Sequence, residues 1–240
     1  MAKIFITGSA DGLGQLAAEE LIKIGHQVVL HARNRPRAEY ALSKVPEAEK
    51  VLIADLSDPE ETKRLAEQAN AWGDFDAIIH NAGVYHASSQ EILRVNTLAP
   101  FLLTCLIRKP GRLIYLSSGL HLSGDPDPDK LETDRVSYSD SKLHDLILAK
   151  AVARKWPDVC SNAVNPGWVP TKMGGAGAPD DLQKGIDTQV WLATDEQATA
   201  SGRYFFHKKE ARYSREADRT GLQDRFIERC EQITGVRFPR

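Results

Sequence analysis

Apolar and polar positions come in alternating short blocks along this chain. Ile4-Phe5-Ile6 forms an apolar run that predicts a strand over residues 3–7. Leu13, Leu16, Ala17, Leu21 and Ile24 follow at helical spacing, giving a helix with one apolar face that Gly25 stops. Residues 27–31 read as a second strand, 33–43 as a polar stretch holding a short helix, and 51–54 as a buried strand ending at Asp55. Asp58-Pro59-Glu60-Glu61 combines a cap, an early proline and first-turn acids, so a helix is predicted from there to about Trp72. Residues 76–80 form the next strand, closed by Asn81-Ala82-Gly83.

The second half continues in the same rhythm. Residues 91–107 predict an apolar helix that Pro100 kinks or locally adjusts. A strand over 112–116 ends at Ser117-Ser118, and the polar, proline-containing stretch 119–136 predicts a long loop. Residues 138–155 form a helix with Leu143, Leu146, Ile147 and Ala151 on one face. A strand over 159–164 runs into Asn165-Pro166-Gly167; 173–179 is glycine-rich and flexible; 180–194 is helical; 202–206 is a last strand and 219–234 a last helix. Strand–helix alternation predicts an α/β fold, a Rossmann-type doubly wound parallel sheet of about seven strands with helices on both faces. With no linker or repeat, residues 1–240 read as a single dinucleotide-binding catalytic domain. The polar clusters all follow strands, where such sheets bind ligands.

Composition narrows the classes. A net charge of -2 gives no electrostatic footprint for nucleic acid. No apolar run is long enough for a bilayer, and the N-terminus enters a strand without a signal-like stretch, so a cytoplasmic location and no membrane partner are expected. Cys105, Cys160 and Cys230 have no paired spacing and read as small buried hydrophobes, with no metal site.

Chemistry concentrates in a few stretches. Thr7-Gly8-Ser9-Ala10-Asp11-Gly12-Leu13-Gly14 joins the first strand to the first helix. Glycines there permit a tight turn and close approach of an anion to a helix N-terminus; the alternative is a ligand-free strand–helix turn. Tyr138 and Lys142 lie four apart and share a helix face. An ammonium beside a phenol favours the phenolate, which suits a proton donor to a carbonyl. Ser117-Ser118 supplies either a hydroxyl for a reacting carbonyl oxygen or a turn and cap serine. Asn96, in an apolar helix, implies a specific hydrogen-bonding task with a water near Lys142, or stabilisation of a kink beside Pro100.

Thr7-Gly8-x-x-x-Gly12-x-Gly14, Asp55-Leu56, Asn81-Ala82-Gly83, Asn96, Ser118, Tyr138-x-x-x-Lys142 and Pro166 to Thr171 occur in the order and spacing of one family. With them the chain resembles the short-chain dehydrogenase/reductase family over most of its length. Tyr138 to Leu143 and the Pro166 segment look most like the branch with retinol dehydrogenases and related ketone reductases. The resemblance implies catalysis by Asn96, Ser118, Tyr138 and Lys142. Ser118 rather than Ser117 takes the serine position, Lys142 binds the nicotinamide ribose and tunes Tyr138, and Asn96 holds a relay water. It implies cofactor contacts from Gly8, Ser9, Asp11, Gly12, Leu13, Gly14, Arg33, Asp55, Leu56, Asn81, Ala82, Gly83, Pro166, Gly167, Val169 and Thr171, besides Tyr138 and Lys142. Homodimers or homotetramers are common in the family.

Ala32 followed by Arg33, with Arg35 and Arg37 behind, predicts NADP(H) rather than NAD(H), because guanidinium groups grip a 2′-phosphate; a solvated loop is the alternative, and Asp11 is a counter-signal. The Asn81–Asn96 spacing is short, implying a trimmed element, and the Ser118–Tyr138 spacing is long, implying a loop that overhangs the site. Tyr85, His86, His121, Trp168 and Met173 are candidate substrate contacts, although His121 also reads as an exposed loop histidine. The stretch Gly174 to Gly177 fits a mobile lid. The expected activity is hydride transfer between a nicotinamide cofactor and a hydrophobic ketone or aldehyde, or the matching alcohol. A non-catalytic NADP(H)-binding sensor or scaffold of the same fold is the alternative.

Overall fold

The computed structural model describes residues 1–133 and 135–239. Its elements run β1 (Lys3–Ile6), α1 (Gly12–Lys23), β2 (Gln27–Ala32), α2 (Arg35–Lys44), β3 (Lys50–Ile53), α3 (Pro59–Trp72), β4 (Ala77–His80), α4 (Ser89–Ile92), α5 (Ala99–Leu106), β5 (Arg112–Leu116), α6 (Tyr138–Lys155), β6 (Cys160–Asn165), α7 (Leu182–Thr194), β7 (Tyr204–Phe206), β8 (Lys209–Glu210) and α8 (Thr220–Thr234). The eight strands form one sheet in the order β3-β2-β1-β4-β5-β6-β7-β8. Every pairing is parallel except β7 with β8. The two-residue β8 is an eighth strand beyond the seven expected. It arises because the chain turns back through His207 and Lys208, both at positive φ (48° and 61°).

Both sheet faces are buried, so each strand sends alternate residues into opposite cores. Phe5, Ile78, Leu113 and Tyr115 pack with residues of α3, α5, α6 and α8. Ile4, Ile6, Ile79 and Ile114 pack with residues of α1, α2 and α7. Local signals hold α3 where expected: the Asp58 carboxylate accepts from Glu60 and Glu61 N–H (2.8 and 3.2 Å), and Pro59 opens the helix.

Three expectations change. The helix over 91–107 is not continuous: α4 is a single turn, and a π-helical segment, Leu93–Leu98, separates it from α5, with Pro100 in the first turn of α5. The stretch 119–136 contains two 3₁₀ turns, Gly119–Ser123 and Pro128–Glu132. It folds down onto α6 and α8 instead of overhanging the sheet edge. Lys130 pairs with Asp140 of α6 (2.8 Å), and Arg225 and Arg229 of α8 hold Asp129 (3.1 and 2.8 Å). Cys160 is only half-buried at the mouth of β6, whereas Cys105 and Cys230 are buried as expected.

Candidate active site

The turn after β1 is built by hydrogen bonds from β4's end. Thr7 Oγ1 accepts from the N–H groups of Asn81 and Ala82, both at 3.0 Å. Asn81 Nδ2 donates back to Thr7 O (2.9 Å) and Gly8 O (3.0 Å). The two strand ends therefore touch, and Gly8 has no room for a side chain. It sits at φ +62°, and a Cβ would lie 2.7 Å from Ala82 Cα. Gly12 is also left-handed (φ +57°) but faces Thr171, with nothing nearer than 3.8 Å. At Gly14 a Cβ would meet Gly8 O at 2.7 Å, so this glycine allows α1 to pack on the turn.

Asp11 occupies the N-cap position of α1 without capping it. Its carboxylate instead pairs with Arg37 (2.6 Å) and Lys172 (2.9 Å). Burial acts upward on this carboxyl, but the bonds to Lys172 and Arg37 hold it below its ordinary value. The first-turn amides of α1 are thus left for an anion. His31 of β2 supports the turn from below. Its Nδ1 accepts from Gly8 N–H (2.9 Å), and its Nε2 faces Ala54 O (3.0 Å), which sets the neutral tautomer protonated on Nε2. Burial lowers this imidazole to about 4.

A cavity of about 510 Å³ opens above the strand ends. Of the expected cofactor residues, its wall includes Gly8, Asp11, Gly12, Leu13, Arg33, Asp55, Leu56, Asn81, Ala82, Gly83, Tyr138, Lys142, Pro166 and Thr171. Ser9, Gly14, Gly167 and Val169 lie off the wall. Ser9 is buried, donating to Ile6 O (2.8 Å) and accepting from His31 N–H (2.9 Å). Val169 is buried against α7 beside Gly185. Arg37 lines the cavity with Arg33, while Arg35 does not. Sequence reasoning missed Ala10, Val84, Glu91, Val95, Leu116 and Lys172 on the wall. These are mostly small or apolar neighbours of the motif residues and carry no signature of their own.

Tyr138 opens α6, fixed by a capping box in which Ser137 and Asp140 bond each other's backbone. One turn on, the Lys142 Nζ lies 5.6 Å from the Tyr138 ring centroid. Lys142 is buried and donates to Leu116 O (2.6 Å) and to Asp145 Oδ2 (2.9 Å). Burial alone would lower Lys142, but attraction to Asp145 and Tyr138 carries it above its ordinary value. A Cβ on Gly83 would lie 3.5 Å from Asn96 Oδ1 and 3.6 Å from Lys142 Nζ, so these three residues converge. Asn96 itself braces the next residue: Oδ1 accepts from Val84 N–H (2.8 Å), and Nδ2 donates to Val84 O (2.9 Å) and Ser141 Oγ (3.0 Å).

The two serines differ. Ser117 Oγ donates to Lys142 O (2.7 Å) and is committed to the fold. Ser118 Oγ accepts from Leu120 N–H (3.2 Å), which leaves its own proton to donate. On the substrate side, Tyr85 packs edge-on against Tyr138 (4.6 Å) and against His86 (4.5 Å). Met173 lines the cavity and Trp168 is largely exposed. His121 is neither a substrate contact nor an exposed loop residue. The 3₁₀ turn carries it inward to full burial, where Nδ1 bonds Ser118 O (2.6 Å), Nε2 accepts from Ser214 N–H (3.2 Å) and the ring packs on Tyr204.

Residues 2–181 match the family model for short chain dehydrogenase. The chain belongs to the short-chain dehydrogenases. It is 41% identical to a short-chain dehydrogenase, chyC, of Penicillium rubens, with 100% of both chains covered. Human retinol dehydrogenase 14 is 27% identical over 86% of this chain and 78% of its own. A short chain dehydrogenase from Shigella flexneri solved in complex with NADP shares the fold, with a TM-score of 0.69, 24% identity, and 87% of this chain and 97% of that chain covered. As a short-chain dehydrogenase this protein is an NAD(P)-dependent oxidoreductase. Its residues fit such a cofactor: a turn with left-handed glycines at positions 8 and 12, an uncapped helix start and a cavity across the strand ends. Among the described residues, no helix is long and apolar enough to cross a membrane.

Proposed function

We propose that this short-chain dehydrogenase is an NADP(H)-dependent carbonyl reductase, or the reverse alcohol dehydrogenase, acting on a hydrophobic ketone or aldehyde. One observation carries the reading: Tyr138 and Lys142 lie on the wall of the same cavity whose far end holds Arg33 and Arg37 beside Ala32. Arg33 and Arg37 would take the 2′-phosphate, and no acid stands at Ala32 to repel it. The uncapped start of α1 would take the pyrophosphate, and Lys142 the ribose next to the nicotinamide. The nicotinamide, when bound, supplies or accepts the hydride.

The chain's own residues handle the proton. Tyr138 gives its hydroxyl proton to the carbonyl oxygen in reduction and takes it back in oxidation. Lys142 favours the phenolate through charge. Ser118 donates its free O–H to the same oxygen and holds it in place. Asn96 fixes Val84 and with it the turn at Gly83; a relay water at its amide would share the remaining lone pair of Oδ1. Tyr85 lies edge-on to Tyr138 and Met173 lines the same cavity; this aromatic and apolar surface supports an uncharged, hydrophobic substrate.

A panel of ketones and aldehydes assayed with NADPH and with NADH tests this. Turnover with NADPH on hydrophobic members is expected, and Tyr138→Phe should abolish it while keeping NADPH fluorescence on binding. Equal or better use of NADH would refute the cofactor assignment. Activity confined to small charged compounds would refute the substrate class. A Tyr138→Phe protein that retains turnover would refute the proton donor.

A further inference from the structure

Asp145 is a charged side chain at this centre that no motif accounts for. It lies one turn beyond Lys142 on α6 and is 3% exposed. α6 is not amphipathic in the usual sense, because Asp140 to Val152 are all buried. A carboxylate inside such a helix costs free energy unless a charge and a hydrogen bond compensate it. Among the described residues, Asp145 Oδ2 pairs with Lys142 Nζ alone, at 2.9 Å.

An ammonium has three protons. Leu116 O at 2.6 Å and Asp145 take two of them. The third remains on the side where a Cβ on Gly83 would stand 3.6 Å away and the cavity opens. The pair is also close to neutral overall, so Tyr138 senses a screened cation rather than a free one.

We propose that Asp145 is a positioning residue for this centre: its carboxylate aims the Lys142 ammonium into the cavity and cancels part of the charge that Tyr138 feels. The proposal rests on Tyr138 being the proton donor assigned above. Asp145 thereby keeps the phenol protonated to higher pH than a bare ammonium would, which favours Tyr138 as the proton donor in carbonyl reduction.

The surroundings contribute little competing charge. From β5, Tyr115 faces Asp145, with its hydroxyl bonded to Thr104 (2.7 Å) and its ring stacked on His80 of β4 (4.7 Å). Burial keeps His80 neutral, down at about 3, and pushes Tyr115 and the nearby Cys105 of α5 well above their ordinary values. On α6, His144 turns to Thr97 (3.1 Å) and Phe226, and Asp140 is held by Lys130. His121, beyond Ser118, is lowered by burial, against the bond to Ser118 O. Burial pushes Asp145 up to about 6, against the attraction of Lys142, so it is charged above that pH.

The test reads the phenol itself. An ultraviolet difference titration of the cofactor-free protein against its Tyr138→Phe variant isolates Tyr138. Asp145→Asn keeps shape and hydrogen bonding but removes charge; Asp145→Ser is the second variant should the first fail to fold. In either, Tyr138 should ionise about one pH unit lower, since an opposite charge within a few ångströms moves a titration by roughly one to three units and screening hides part of that. Asp145→Glu, which restores the charge, should return the titration toward the wild type. The limb of the alcohol-oxidation pH profile that disappears in Tyr138→Phe should move the same way. An unchanged titration, or a shift to higher pH, overturns the proposal. The titration needs no turnover, so a protein without ketone reduction but with a moving phenol refutes the assigned reaction alone. Turnover with a phenol that stays put refutes the role of Asp145 alone.

Discussion

Acidification should loosen the glycine turn after β1 through His31, and the size of the effect follows from its bonds. In the folded chain Nδ1 must accept from Gly8 N–H, so a second ring proton would set two N–H groups against each other. Burial is the largest cause of the lowering to about 4, from 6.5 for a free imidazole. A depressed folded value means the unfolded chain binds the proton first. The stability is therefore fully present above pH 6.5 and is lost as pH falls toward 4. At pH 5 the loss from His31 works out at about 2 kcal/mol relative to pH 7.5. His80 and His144, lowered by burial to about 3 and about 4, act in the same direction, and Asp145, raised to about 6, acts in the opposite one. A difference measurement cancels all three. Urea unfolding of the wild type and of His31→Gln at both pH values gives that difference. Glutamine should cost about 1–3 kcal/mol at pH 7.5 through its poorer fit to two buried partners. The gap between the two proteins should then shrink by about 2 kcal/mol at pH 5. A gap that stays constant would refute the reasoning, because His31 would then not be taking up a proton on unfolding.

Two further predictions come from the same turn. Gly8→Ala and Gly12→Ala both place a side chain at positive φ, worth about 1–2 kcal/mol each, but only at position 8 is the new Cβ within 2.7 Å of backbone. Gly8→Ala should be the more destabilising in thermal melts and should abolish NADPH binding, and equal losses would refute the steric argument. Asp11→Asn frees Arg37 and Lys172 from a competing anion at exposed ion pairs, so NADPH should bind about two- to five-fold tighter in a fluorescence titration. Weaker binding would show that Asp11 serves to aim Arg37.

Elements with local causes were readable from the chain. Asp58-Pro59-Glu60 carries its own cap, and the isoleucine runs of β1 and β4 can only be strands buried on two sides. The motif residues of the cavity were readable because glycines, a Tyr-Lys pair and strand ends together restrict the chemistry. What escaped depends on distant partners. His121 looked exposed because its burial is decided by Ser214 and Tyr204, more than eighty positions away. Asp145 drew no reading from the sequence, because nothing in α6 announces that it is buried. The π-helical segment could be felt at Asn96 and Pro100 only as discomfort with a regular helix.

That wide turn sets a limit on how the chain can vary. A regular helix through Leu93–Leu98 would need one residue fewer, and each residue carries about 100° of rotation. Removing one would swing Asn96 away from Val84, or else drag Phe101, Leu102 and Leu103 out of their cores. The count of residues between Val84 and Leu98 works as a gear tooth. It meshes the Gly83–Val84 turn on the cavity wall with the packed helix behind it, and changing it by one disengages both.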